Sequence, residues 1–144
     1  ELVLTAGRPV LTIPYAGKFK TVGERAMVSW DGSREAARAV HDALPLLKQA
    51  KQVVVLSINP PSGEHIVGAD ICAHLARHGV TAEAHSSVAK DIEVGDALLS
   101  AMSDFSVDLV VMGAYGHSRL RELALGGATH HMLRHMTAPV VMSH

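Results

Sequence analysis

The sequence is short of aromatic residues, has one cysteine, and carries no surplus of either charge; each shortage removes a class of protein. One Trp, two Tyr and two Phe among 144 residues leave the core to be built from Ala, Val, Leu, Ile and Met. The single Cys72 has no partner for an internal disulfide, so a stapled secreted scaffold is excluded and a reducing cytoplasm is the expected compartment. A formal net charge of −1, with no basic stripe, gives nucleic acid no electrostatic hold. No apolar run approaches the ~20 residues that span a bilayer. The start also lacks the basic-then-apolar pattern of a signal peptide. Neither nucleic acid nor membrane is therefore an expected partner. The chain begins at Glu1 with no methionine, which reads as an upstream segment removed.

What is present is apolar and ordered by period. Almost half the residues, 48%, are hydrophobic, which suits a globular core rather than disorder. Short Val- and Ile-rich runs alternate with longer Ala- and Leu-rich stretches, the pattern of buried strands between helices. Residues 26–30 read as a strand, Asp31-Gly-Ser33 as a turn, and Ser33 as the cap of a helix carrying Ala36, Ala37, Val40, Ala43, Leu44 and Leu47 on one face. Pro45 falls near the end of that helix and is expected to kink or tighten its last turn. Residues 52–58 form a continuous apolar run, as a strand covered on both faces requires. After Pro60-Pro61, residues Val67, Ile71, Cys72 and Leu75 mark a second helix, stopped by Gly79. An alternating strand at 81–87 reads as nearer an edge. Val94, Ala97, Leu98, Ala101 and Phe105 give a third helix. Residues 109–112 give a fourth buried strand. Met132, Leu133 and Met136 give a last helix, and residues 139–142 a fifth strand.

The order βαβαβαβαβ predicts a three-layer α/β fold with a parallel sheet and right-handed crossovers. Ligands of such sheets bind beyond the carboxyl ends of the strands, where the strand order reverses. A short internal repeat adds to this. Thr5-Ala-Gly-Arg-Pro-Val-Leu-Thr-Ile13 is similar to His135-Met-Thr-Ala-Pro-Val-Val-Met-Ser143, aligned on Pro9 and Pro139. Residues 1–14 are accordingly read as the last helix end and last strand of a preceding copy, 15–24 as a linker, and 25–144 as one complete domain.

The densest chemical signal is Gly113-Ala-Tyr-Gly116-His-Ser-Arg-Leu-Arg-Glu-Leu-Ala-Leu-Gly126-Gly127, which leads into a helix. Glycines after a buried strand let a ligand approach the backbone. Free N–H groups in such a loop, and at the helix start that follows, favour phosphate oxygens. His117, Ser118, Arg119 and Arg121 add donors and positive charge. The plainer reading is that the glycines only make turns; the buried strand in front of them favours a ligand loop. Neither G-x-x-x-x-G-K-[ST] nor an early G-x-G-x-x-G is present, so the loop is not one of the two familiar phosphate motifs.

The spacing Gly113-x2-Gly116-x9-Gly126, the turn Trp30-Asp-Gly-Ser33 and the ending Thr137-Ala-Pro-Val-Val141 together resemble the universal stress proteins. The resemblance runs over residues 25–144. It implies a five-stranded Rossmann-like sheet of order 3-2-1-4-5, similar to the adenine nucleotide alpha hydrolase fold. It also implies a homodimer or tandem-domain pairing through the last strand. It further implies adenine-nucleotide binding, with ATP the foremost ligand, Mg accompanying it, and at most slow hydrolysis. Carried over position by position, Asp31 would contact the nucleoside and the backbone of Ile58 would face adenine. Gly113, Gly116 and Gly126 would hold ribose and phosphates. The family has Ser or Thr directly after the last glycine; here that position is Gly127, with Thr129 two residues later. The sequence thus supports two functions: a nucleotide-binding regulatory domain, or a structural and dimerisation module of the same fold.

Other constellations are weaker. His131 and His135 lie one helical turn apart, but two ligands do not make a metal site. His74, His78 and His85 are read as showing no ligand spacing, and no metal is expected. Ser33 or Ser118 with His117 and Asp31 lacks the G-x-S-x-G elbow of a hydrolase. Cys72 reads as core and Trp30 as packing.

Overall fold

Parallel strands need a crossover each, and the alternation of apolar runs in this chain provides them. The computed structural model describes residues 2–61, 67–116 and 127–144. The elements are α1 (Leu2–Thr5), β1 (Val10–Thr12), β2 (Arg25–Ser29), α2 (Arg34–Leu47), β3 (Gln52–Ile58) and α3 (Ala69–Arg77). They continue as β4 (Ala82–Ser87), α4 (Val94–Asp104), β5 (Leu109–Gly113), α5 (Gly127–His135) and β6 (Val140–Ser143).

Strands β2 to β6 pair in parallel. The sheet order is β1-β6-β5-β2-β3-β4. Numbered among themselves, the five parallel strands run 3-2-1-4-5, as expected. The difference is a sixth strand: β1 pairs antiparallel with β6, Val10 opposite Met142 and Thr12 opposite Val140.

Side chains alternate across the sheet and so feed two cores. Ala26, Val28, Val53, Val55 and Val111 pack with Ala39, Val40, Leu47 and Leu75 of α2 and α3. Met27, Val54, Leu56, Val110 and Met112 pack with Leu98, Met102 and Met132 of α4 and α5. Met27, Val54, Val55 and Val110 are essentially sealed from solvent, which explains why β3 and β5 read as continuous apolar runs rather than alternating ones. Strand β4 is half exposed along its length, as suits its place at the sheet edge.

The opposite edge, β6, is covered by β1. Arg38 ties the N-terminal segment down, donating to the Gly7 carbonyl at 3.2 Å and to the His144 carbonyl at 2.8 Å. The segment 15–24, read as a linker, is pinned at its far end. The Asp108 carboxylate accepts the backbone N–H groups of Gly23, Glu24 and Arg25 at 3.1, 3.2 and 2.8 Å. Burial pulls the Asp108 carboxyl upward. Hydrogen bonds from the Thr21 side chain and these three N–H groups outweigh it and hold the pKa below the ordinary value of 3.8. Pro45 sits inside α2, which continues to Leu47.

Candidate functional site

The register of the three central strands fixes where a site can form. Ser29 of β2 lies opposite Leu56 of β3 on one side and Met112 of β5 on the other. Asp31, Ile58 and Gly113 therefore all emerge at the carboxyl edge of the sheet. The Trp30 N–H extends the ladder, donating to the Leu56 carbonyl at 2.8 Å. Beyond it the chain turns sharply. Gly32 takes a φ of 75°, and the Ser33 N–H donates to Asp31 Oδ1 at 2.9 Å. Ser33 then caps α2, its Oγ accepting from the Ala36 N–H at 3.1 Å. Asp31 and Ser33 thus both serve the start of α2, as a turn residue and a cap do.

The loop after β5 presses onto that helix start. A Cβ on Gly113 would lie 2.6 Å from the Ala36 nitrogen and 2.7 Å from the Glu35 carbonyl carbon, so no side chain fits. A Cβ on Gly116 would lie 3.0 Å from Glu35 Oε2 and 3.4 Å from Ser33 Oγ. Neither glycine has a positive φ; Tyr115 between them does, at 57°. Close approach to α2 is what these two glycines serve. Thr129 is buried, and its Oγ1 accepts from the Tyr115 N–H at 3.3 Å. The His144 ring Nδ1 lies 2.9 Å from the Ala114 carbonyl, and the Ala114 N–H donates to the Ser143 carbonyl at 2.8 Å. The loop therefore leaves β5 in a fixed direction. His117, Ser118, Arg119 and Gly126 lie outside the described residues.

Glu35 is the residue that sequence reading missed. It is 4% exposed, directly beneath Gly113 and Gly116. Arg34 Nε donates to its Oε1 at 2.7 Å, while the Arg34 side chain is 89% exposed. Burial pulls the Glu35 carboxyl upward, but the Arg34 guanidinium, its own backbone N–H and His144 outweigh it, and the pKa falls below the usual carboxylate value. A full negative charge thus stands beside the glycine loop at neutral pH. The available signal was an acidic residue in the first helical turn, where it also favours the helix dipole.

Two further features bear on ligands. Ser57 Oγ, next to Ile58, is buried and has no hydrogen-bond partner among the described residues. Gly127, the first residue of α5, has nothing among the described residues within 4 Å of a Cβ built there. Among the described residues no three His, Cys, Asp or Glu side chains converge as they stand to hold a metal ion. None of the described helices is long and apolar enough to cross a membrane.

Comparison with known proteins places this architecture. The model of the universal stress protein family matches residues 73–144. A universal stress protein of Synechocystis is 41% identical over 46 residues, 32% of this chain and 16% of that protein. A universal stress protein structure from Archaeoglobus fulgidus superposes with a TM-score of 0.74 at 17% identity, covering 94% of this chain and 49% of that one. UspA of Lactobacillus plantarum gives 0.67 at 16% identity, covering 87% and 100%. The chain thus spans about half the length of the Archaeoglobus relative. With its six-stranded sheet, two-sided core and matching family model, the chain belongs to the universal stress protein family.

Proposed function

We propose that this domain binds an adenine nucleotide, ATP foremost, at the carboxyl edge between β2 and β5, and acts as a regulatory domain in a stress response. One observation carries the reading: at Gly113 the backbone is folded against the capped start of α2 with no room for a side chain, and Gly116 closes onto Glu35 and Ser33. That arrangement brings backbone groups close to the crevice where open α/β sheets take ligands. Two solved relatives add support. One universal stress protein structure, 22% identical, is a complex with cAMP. Another, from Archaeoglobus fulgidus and 17% identical, is a complex with dAMP.

In this reading Asp31 contacts the nucleoside and the Ile58 backbone meets the adenine edge. Ser57 Oγ, lacking a partner among the described residues, is available beside them. Gly113, Gly116 and Gly126 hold ribose and phosphates, with His117, Ser118 and Arg119 as donors and Thr129 steadying the loop through Tyr115. The buried Glu35 charge opposes a triphosphate, and Arg34 or an accompanying Mg offsets it. Hydrolysis is at most slow. Cytoplasmic location and pairing of β6 with a matching strand, from a partner copy or the preceding repeat in residues 1–14, belong to the same proposal.

A second reading is a structural or dimerisation module, favoured by the Glu35 charge and by Gly127 where a hydroxyl is expected. Extraction of the purified protein and mass analysis for adenine nucleotides, followed by titration with ATP, ADP and AMP, separates the two. Co-purifying nucleotide or saturable binding supports the first. No bound nucleotide and no binding of any of the three leaves the second.

A further inference from the structure

Helices α2 and α3 lie side by side on one face of the sheet and bring three histidines together. His74 and His78 stand one turn apart on α3, with ring centres 4.7 Å apart. His41 of α2 reaches the same place, its ring centre 6.3 Å from that of His78. His74 and His78, expected from the sequence to show no ligand spacing with His85 or with one another, thus form a pair one helical turn apart. We infer that His41, His74 and His78 form a surface site for a late first-row divalent cation of the zinc, nickel or copper class.

Three arguments support it. The first is spacing. With metal–nitrogen bonds of about 2.0–2.1 Å, ring centres in a tetrahedral site stand about 5 Å apart. The observed 4.7 and 6.3 Å bracket that value. As the side chains stand, no group of three His, Cys, Asp or Glu among the described residues is placed to hold a metal ion, so the site requires His41, an exposed side chain, to rotate toward His78 on binding.

The second is availability. Among the described residues, the His78 ring meets those of His41 and His74, and none of the three has a carboxylate or carbonyl partner. The other histidine pair differs: the Nε2 of His131 lies 2.9 Å from Asp96 Oδ1, and its ring fills the space beside Gly95.

The third is chemistry. Imidazole suits zinc, copper and nickel over magnesium or calcium. His78 is the C-cap of α3, where unpaired carbonyls favour positive charge. Lys48 faces His78 and opposes a bound cation, while Asp70, one turn before His74 on the same helix, acts in the other direction. The cation would join α2 to α3, with its remaining positions open to water. Because both helices run antiparallel to the strands, the site lies toward the amino edge, away from the glycine loop. It stands or falls independently of nucleotide binding.

The test is calorimetric titration of the tag-free full chain with zinc chloride and with nickel chloride, with the visible spectrum of the cobalt form as a second readout. One cation per chain is expected. His74→Ala, His78→Ala and His41→Ala should each weaken binding about tenfold or more, while Cys72→Ser and His131→Ala should leave it unchanged. Zinc should also raise the thermal midpoint of the wild type and not of the His74→Ala chain. Absence of saturable binding below about 1 mM, affinity indifferent to His41→Ala, or loss of binding in Cys72→Ser or His131→Ala would overturn the assignment.

Discussion

The two edges of the sheet are built on opposite principles. At the amino edge the entries to β2 and β3 are tied. Asp108 holds three successive N–H groups ahead of and at the start of β2. The Lys51 N–H and Nζ reach Glu24 at 2.8 and 2.9 Å. Positive φ occurs at both ends, at Gly23, Gly79 and Ser106 and at Gly32, Asn59 and Tyr115; the carboxyl edge differs in its side chains. It buries a charge at Glu35 and leaves Ser57 Oγ without a partner among the described residues. Unfavourable local features persist only where the surrounding structure imposes them, and they cluster at ligand sites. Under the proposed function, the amino edge secures the fold and the carboxyl edge takes the nucleotide.

That contrast breaks most visibly where the two roles meet. Gly113→Ala should cost about 3 kcal/mol in urea unfolding, because the new Cβ meets α2 backbone rather than a movable side chain. A loss under about 1 kcal/mol would mean that the loop stands off from α2 and is no rigid cradle. At the amino edge, Asp108→Ala strands three N–H groups that are partly accessible, so about 2 kcal/mol is expected, with no change in nucleotide affinity. The pH dependence follows from its lowered pKa. The unfolded state binds the proton more readily, so the Asp108 contribution is complete above the ordinary value of 3.8 and disappears as pH falls through its folded pKa. In Asp108→Ala the stability decline below pH 4 should flatten; an unchanged acid limb in urea melts at stepped pH would remove Asp108 from the account.

Deleting residues 1–14 strips β1 from β6 and exposes an apolar edge. Light scattering should then show dimers or larger particles, and a truncated chain that stays monomeric and soluble would contradict the role given to β1. The smallest structural change is Gly127→Ser. With no described residue within 4 Å of a Cβ at Gly127, a stability change within about 0.5 kcal/mol is expected. The restored hydroxyl should raise ATP affinity about fivefold, the worth of one hydrogen bond of ~1 kcal/mol. A folded Gly127→Ser chain with unaltered affinity would place the phosphates elsewhere.

Most of the fold was legible because it rests on periodicity. The apolar runs at 52–58 and 109–112 became β3 and β5, since a strand buried on both faces has no room for polar alternation. Ser33 was readable as a cap and Gly113 as a special backbone position. A strand within residues 1–14 was readable from the Pro9 and Pro139 repeat, and it stands as Val10–Thr12 beside β6. Three features were not legible. Glu35 looked like an ordinary first-turn acid, because its burial depends on Gly113 and Gly116, 78 and 81 residues away in sequence. The Asp108 clasp joins backbone groups to a carboxylate, and backbone donors leave no mark in a sequence. The meeting of His41 with His78 depends on the packing of two helices.

The central claim is that nucleotide binding belongs to the carboxyl edge alone, and amide NMR tests it most directly. ATP added to the 15N-labelled chain should shift the amides of Asp31, Ile58, Gly113 and Gly116 in a saturable way and leave those of Gly23, Glu24 and Asp108 in place. Shifts centred on the amino edge, or none at any ATP concentration, would contradict the account.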